Sequence, residues 1–471
     1  MHFRHLKAPE KGESFTLRPL FIATAYFRRA FSRSFLVIFA TVAALLWMSS
    51  WAHSQENSPD SAPELDMLLS KKQYPQLEQA LAVQGSELTP QTRAYFTGVM
   101  ANRSNQVQKS LGLLEPLIPA LLINDARHGE NALCTVADNY AKTFRYANAA
   151  RVYTEANRIA KKENLESSCN AAQEASRWAL LSDAPAQTVT LNGEFMVQGK
   201  WDSLGLIHVP VTVGAYTGSW IVDSGANLSV ISQSVAERMG VEVPASAGTV
   251  EGSSGAAVSV HAAIIPELRL GLAVFHNVPV LVASDSDLTF SKMDYRIEGS
   301  LGLPVLAQLG RFTVYHDGRV LFGGATEALD NAPIPHNLFF EKFAPVITAD
   351  FGLGNQLFTI DTGAIGTILS AEFYHESTPV GSTELIQLEL LGAGGTLVSP
   401  AYQLRGVGAN LGGSCAKVKT VQVLTQPTGM ADEFYGNIGQ NALTSFTSFT
   451  LDFNAMRFSV NSSSGSCGNE H

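Results

Sequence analysis

Charge is scarce in this chain of 471 residues. Only 16% of its residues are Asp, Glu, Lys or Arg, against roughly 25% in an average soluble domain, while 45% are apolar. Such a composition excludes long disordered tracts and extended charged coiled coils. Positive charge is scarcer than negative: 32 Lys and Arg face 42 Asp and Glu, a formal net charge of −10. That balance argues against a nucleic-acid partner, which requires a basic face. Cysteine is limited to Cys134, Cys169, Cys415 and Cys467, none in Cys-x-x-Cys spacing, so zinc and thioredoxin-like redox readings are weak. An even count permits two disulfides, for instance Cys134–Cys169 and Cys415–Cys467, or four buried thiols. There is no His-Glu-x-x-His helix, since His375-Glu376 leads to Pro379. A Gly-x-Ser-x-Gly elbow and a Walker A loop are also missing, which leaves the zincin, elbow-type serine-hydrolase and P-loop readings without their motifs. The most informative shortage is local. Of 39 glycines, only Gly12, Gly85, Gly98, Gly112 and Gly129 precede Gly193. A Gly-poor regime is followed by a Gly-rich one, and the length suits two or three domains.

No apolar run reaches membrane-spanning length. Phe35 to Met48 is apolar or small throughout, but 14 residues rise only about 21 Å as a helix, short of the roughly 30 Å hydrocarbon core. Seven Lys and Arg precede it, and Ser50-Trp51-Ala52 follows as a small-x-small site. Residues 1–52 therefore read as a secretory signal, or as an anchor if uncleaved. Membrane attachment is expected only in the second case. The remainder holds 25 basic and 40 acidic residues, so the mature chain is more acidic than the total suggests.

Residues 53–63 are polar and Pro-containing, a linker. From 64 to 182 the pattern is helical, rich in Ala, Leu, Gln and Glu. Within Ala137–Ala156, small residues and aromatics recur three and four apart on both sides of a break near Phe144–Arg145. This resembles a tetratricopeptide helix pair, with a looser copy near Arg93–Gly98. The resemblance implies an α-solenoid that could dock a protein partner; an ordinary helical bundle is the alternative.

After Ser182 the period changes from helical to two, with β-branched alternation such as Ile207–Val213. Two stretches then repeat each other: Val209–Ala226 and Ile347–Ala364. Each places a turn glycine nine residues before an aspartate, and the aspartates open Asp223-Ser224-Gly225-Ala226 and Asp361-Thr362-Gly363-Ala364. Later, Ile297–Leu306 matches Phe434–Leu443, and each runs into a terminal hairpin. One Asp-Ser/Thr-Gly is usually just a turn, but two in matched contexts 138 residues apart mark a duplication.

The paired halves resemble the two lobes of an aspartic peptidase, each closer to a retropepsin subunit than to a pepsin lobe. The resemblance covers about residues 200–460 and implies a pseudo-twofold site in which Asp223 and Asp361 face each other as catalytic carboxylates. Two carboxylates about 3 Å apart share one proton and split their pKa values, as the paired acids of aspartic peptidases are known to do. Ser224 and Thr362 then brace opposite loops, Gly225 and Gly363 permit close backbone approach, and Ala226 and Ala364 keep the surroundings small. Gly-rich hairpins, with Gly252 and Gly255 in one half and Gly394 and Gly395 in the other, correspond to substrate-covering flaps. Asn227 matches a polar residue near substrate backbone, whereas Ile365 holds that place in the second half, so substrate binding is expected to be asymmetric.

The expected architecture is a multi-domain chain: leader 1–52, linker 53–63, tetratricopeptide-like helices 64–182, first lobe 200–325 of an all-β bilobal acid-protease fold, connection 326–344, second lobe 345–461 and tail 462–471. The expected activity is peptide-bond hydrolysis of peptide or protein substrates without metal or organic cofactor. The rival is a catalytically silent peptide-binding scaffold, although such a descendant need not keep both Asp motifs.

Overall fold

Helix-forming composition and a recurring turn build the first part of the chain. The computed structural model describes residues 63–252, 257–324, 336–377, 384–428 and 433–461. The expectations for the 1–52 leader, residues 53–62 of the linker, Gly255, Cys467, residues 326–335 and the 462–471 tail lie outside the described residues. Three helix pairs follow in order: Pro63–Ser70 with Tyr74–Gln84, Pro90–Arg103 with Val107–Leu114, and Ala126–Lys142 with Tyr146–Glu163. Each pair turns on a left-handed residue, Lys72, Asn105 or Phe144, with φ of 54°, 57° and 59°. The break expected at Phe144–Arg145 is the third of these turns. Small side chains close the pairs: Ala137, Ala149 and Ala156 are fully buried, and Gly98 lies against Leu114. Cys134 and Cys169 form a disulfide with Cα atoms 6.0 Å apart, tying the Ala126–Lys142 helix to the segment before the last helix, Ala171–Ala179. Cys415 is also disulfide-bonded.

Two β halves with matching connectivity follow. In the first, Gly299–Leu301 passes between Tyr216–Val222, to which it runs parallel, and Ser229–Ser232, to which it runs antiparallel. In the second, Gly436–Ile438 passes in the same senses between Gln356–Ile360 and Ile368–Leu369. Alternation dictates the faces; Ile207–Val213 buries every other side chain. The correspondence extends to helix caps. Ser232 Oγ accepts from Val235 N at 3.3 Å, and Ser370 Oγ accepts from Phe373 N at 3.3 Å, each satisfying one orphan amide of a short helix.

The halves are joined by a five-stranded sheet. Arg311–Tyr315 of the first pairs antiparallel with Ser448–Asp452 of the second, Thr313 opposite Thr450 with their hydroxyls 2.7 Å apart. Phe195–Gln198 and Arg319–Phe322 extend one side and Arg457–Asn461 the other.

The described helices and sheets belong to one compact unit. The strand Leu338–Glu341 covers a helical face. Arg103 Nε lies 3.1 Å from Glu341, the Tyr74 hydroxyl donates to the same carboxylate, and Lys142 stands 5.2 Å above the Phe340 ring. Trp178 packs between Tyr146, 5.5 Å away and stacked, and Phe343, 5.0 Å away. Just beyond it, Leu180 fills the space beside Gly248 in the hairpin that starts at Ala247–Glu251.

Candidate active site

Both aspartates leave the ends of buried strands. Asp223 follows Tyr216–Val222 and Asp361 follows Gln356–Ile360. Their amides are fixed alike, Asp223 N to Leu301 O at 3.1 Å and Asp361 N to Ile438 O at 3.0 Å. The next residues reach across to the opposite half. Ser224 N donates to Thr362 Oγ1 at 2.9 Å, and Thr362 N donates to Ser224 Oγ at 3.1 Å. Each hydroxyl then donates to a carbonyl of the other half, Ser224 to Ile360 at 2.9 Å and Thr362 to Val222 at 2.6 Å. Four fully buried hydrogen bonds thus clamp the loops together.

Glycine follows because nothing larger fits. A methyl on Gly225 would stand 2.5 Å from the Asp361 carboxyl oxygens, and one on Gly363 would stand 2.5 Å from Asp223 Oδ1. Each loop's backbone is therefore pressed against the other half's carboxyl, which brings the two acids together. The alanines repeat the symmetry: Ala226 O accepts from Leu303 N and Ala364 O from Gln440 N, both at 2.8 Å. These bonds fasten each Asp loop to the start of a short helix.

Asp223 and Asp361 are half-buried. Burial first, and then the facing Asp361 charge, push Asp223 up to about 7, although Ala226 N donates to its Oδ1 at 3.0 Å. Burial also raises Asp361, against donation from Gly363 N at 2.8 Å and from Asn437. One ionised and one protonated carboxyl is the form such a pair adopts. The pair can take a proton and give one within a single site.

Asn227 is half-buried and Ile365 is exposed. Gly252 abuts the Ala393 carbonyl, so the two Gly-rich hairpins meet, and Gly394 N donates to Asp287 O at 3.2 Å. Gly395 completes the turn of its hairpin at φ 140°. Two site residues escaped the sequence reading. The Ser300 side chain acts on the Asp223 carboxyl and the Asn437 side chain on the Asp361 carboxyl, each drawing its acid downward. The available signal was a polar residue two positions before Gly302 and before Gly439, inside strands otherwise apolar or Gly.

The clamp makes a measurable contribution. Thr362→Val keeps the volume but leaves Ser224 N–H and the Val222 carbonyl unpaired in a dry environment. We expect a loss of about 2–4 kcal/mol in chemical denaturation, where Ser445→Ala, on an exposed hydroxyl, changes little.

Residues 209–305 match the aspartyl protease family model. Among solved structures, the chain is similar to a retropepsin-like aspartic protease from Rickettsia conorii, at 16% identity, over 29% of this chain and 90% of that one, with a TM-score of 0.21. No curated protein matches the chain. The family match runs from the strand Ile207–Val213 through the Asp223 loop into the helix Leu303–Gln308 and supports the resemblance to aspartic peptidases over those residues. It does not extend to the helices at 63–179.

Proposed function

We propose that this chain is a single-chain aspartic endopeptidase whose dyad is Asp223 and Asp361. The observation that carries the reading is the reciprocal packing of Gly225 on Asp361 and Gly363 on Asp223, which supports two carboxyls from separate halves acting as one proton-sharing pair. The ionised carboxyl takes a proton from a water while the water oxygen bonds to the peptide carbonyl carbon. The protonated carboxyl gives its proton to the carbonyl oxygen, so a neutral gem-diol forms without free hydroxide. On collapse the C–N bond breaks and the nitrogen leaves with the proton taken from water. The other carboxyl recovers its proton from a diol hydroxyl, and both acids return to their starting state.

The touching hairpins support a lid over an extended peptide. Their backbones offer ladder groups to a substrate strand, as an open sheet edge does. Asn227 against Ile365 supports unequal recognition on the two sides of the scissile bond.

For the helices, the contacts favour service within the chain. The face bearing Tyr74, Arg103 and Lys142 is occupied by Leu338–Glu341, so an outside protein partner would use the remaining surface of these tetratricopeptide-like pairs. Export, with residues 1–52 as leader or anchor, accords with the Cys134–Cys169 bridge, since disulfides persist in oxidising compartments.

Cleavage of a random peptide library across pH 3 to 8, read by mass spectrometry, tests the activity. Cleavage is expected to persist through the mildly acidic range and to fall above about pH 7, where Asp223 loses its proton. Folded protein that cuts nothing anywhere in this range is a binding protein instead.

A further inference from the structure

The two halves repeat each other closely at the dyad, but they differ in one polar side chain beside each carboxyl. Ser300 sits in the centre of Gly299–Leu301, opposite Ile221 and Val230 on the flanking strands. Asn437 occupies the same place in Gly436–Ile438, opposite Thr359 and Ile368. The following residues, Leu301 and Ile438, hold the two aspartate amides, so each polar side chain has a fixed relation to its own carboxyl.

Their chemistry differs. The Thr359 hydroxyl donates to Asn437 Oδ1 at 2.7 Å, the shorter of its two contacts. With its carbonyl engaged, the Asn437 amide can offer Asp361 only N–H, a donor that cannot become an acceptor. A carboxyl facing an obligate amide donor, together with Gly363 N at 2.8 Å, is favoured as the carboxylate. Ser300 is unlike this. A hydroxyl rotates, donating to a carboxylate or accepting from a carboxylic acid, so it favours the carboxylate form of Asp223 only weakly and leaves Asp223 the better home for the shared proton.

We propose that Ser300 and Asn437 are positioning residues that break the symmetry of the dyad, Asn437 holding Asp361 as the carboxylate that takes the proton from water and Ser300 letting the shared proton rest on Asp223. This rests on the aspartic-peptidase reading of the site. The upward push on Asp223 agrees with it. Among the described residues, the charged group acting on Asp223 is the Asp361 carboxyl. The remaining donors around them are neutral: the amides of Gly225, Ala226, Gly363 and Ala364 and the two side chains in question.

The assignment gives each residue its own limb of the pH profile of kcat/KM. Losing an Asn437 donor raises Asp361, so Asn437→Leu moves the acid limb up by about one pH unit and leaves the alkaline limb in place. Losing the Ser300 hydroxyl raises Asp223, so Ser300→Ala moves the alkaline limb up and leaves the acid limb. Asn437→Ser, which retains a donor, keeps the acid limb close to wild type and serves if the leucine variant does not fold. The same variants are titrated by 13C NMR of labelled aspartate carboxyls, assigned with Asp223→Asn and Asp361→Asn. That second readout needs no turnover, so a wild type that cuts no peptide defeats the functional reading without deciding this one. Selective movement of one carboxyl titration per variant is the expected result. The assignment is overturned if both limbs or both titrations move together, if the two variants move the opposite limbs, or if rates fall with no change in pH dependence.

Discussion

Asp223→Asn is expected to remove at least about 10³-fold of the kcat/KM of any peptide the wild type cuts, and to melt higher than wild type at pH 8. The loss follows from proton inventory. An amide cannot give a proton to the carbonyl oxygen or recover one on collapse, and Asp361 alone has no partner to share with. The gain follows from the raised acid. Asp223 stands at about 7 in the folded chain, against an unperturbed value near 3.9. A group raised on folding contributes stability that is fully present below its unfolded pKa and is lost as pH rises through the folded one. The wild type therefore gives up stability between about pH 4 and 7, and the neutral amide does not. Asn can still accept from Ala226 N, now 3.0 Å from the carboxyl, so the loop keeps its shape. Differential scanning calorimetry at pH 4 and pH 8 should show a small difference at the first and a clear one at the second. An active variant would remove Asp223 from the chemistry, and equal melting at both values would remove the charge repulsion.

Arg103→Met should be the most destabilising single change outside the β halves, costing about 3–5 kcal/mol. Burial pushes the Glu341 carboxyl up, but Arg103 at 3.1 Å, with Lys72 at 4.0 Å and the Tyr74 hydroxyl, holds it down at about 2. Without the guanidinium that carboxylate remains enclosed between helices and strand with little compensation. Adding Glu341→Gln removes the stranded charge while preserving an acceptor for Tyr74, so the double variant should recover most of the loss. Urea midpoints of the two singles and the double give the coupling directly. Full additivity would mean the groups act independently. A carboxyl lowered on folding works in the opposite pH direction to Asp223. Its contribution is present above the ordinary carboxylate range and is lost as pH falls towards 2.

The parts of the site legible in the sequence are those set by local pattern. The change from period 3.6 to period two, the duplicated Asp-Ser/Thr-Gly-Ala and the later Gly302 and Gly439 located both aspartates, because a duplicated loop repeats its neighbours as well as itself. Ser224 and Thr362 could be assigned their bracing role only through the resemblance; the crossing bonds join residues 136 to 140 apart. Ser300 and Asn437 lay inside matched segments, yet nothing local shows that their strands thread between two others and aim at a carboxyl. The helix-to-strand contact was not legible at all. Tyr74 and Glu341 are 267 residues apart, and in sequence both look like ordinary surface polar residues.

The central pairing of Arg311–Tyr315 with Ser448–Asp452 fuses what would otherwise be two associating partners. In an assembly of separate halves, the fraction of complete sites falls on dilution by mass action, and every change in one copy is made in both. Here the second half is always present at the effective concentration set by its tether, so specific activity should be independent of protein concentration. Each half is also free to vary alone, and Ser300 opposite Asn437, like Asn227 opposite Ile365, is a difference that identical copies could not hold.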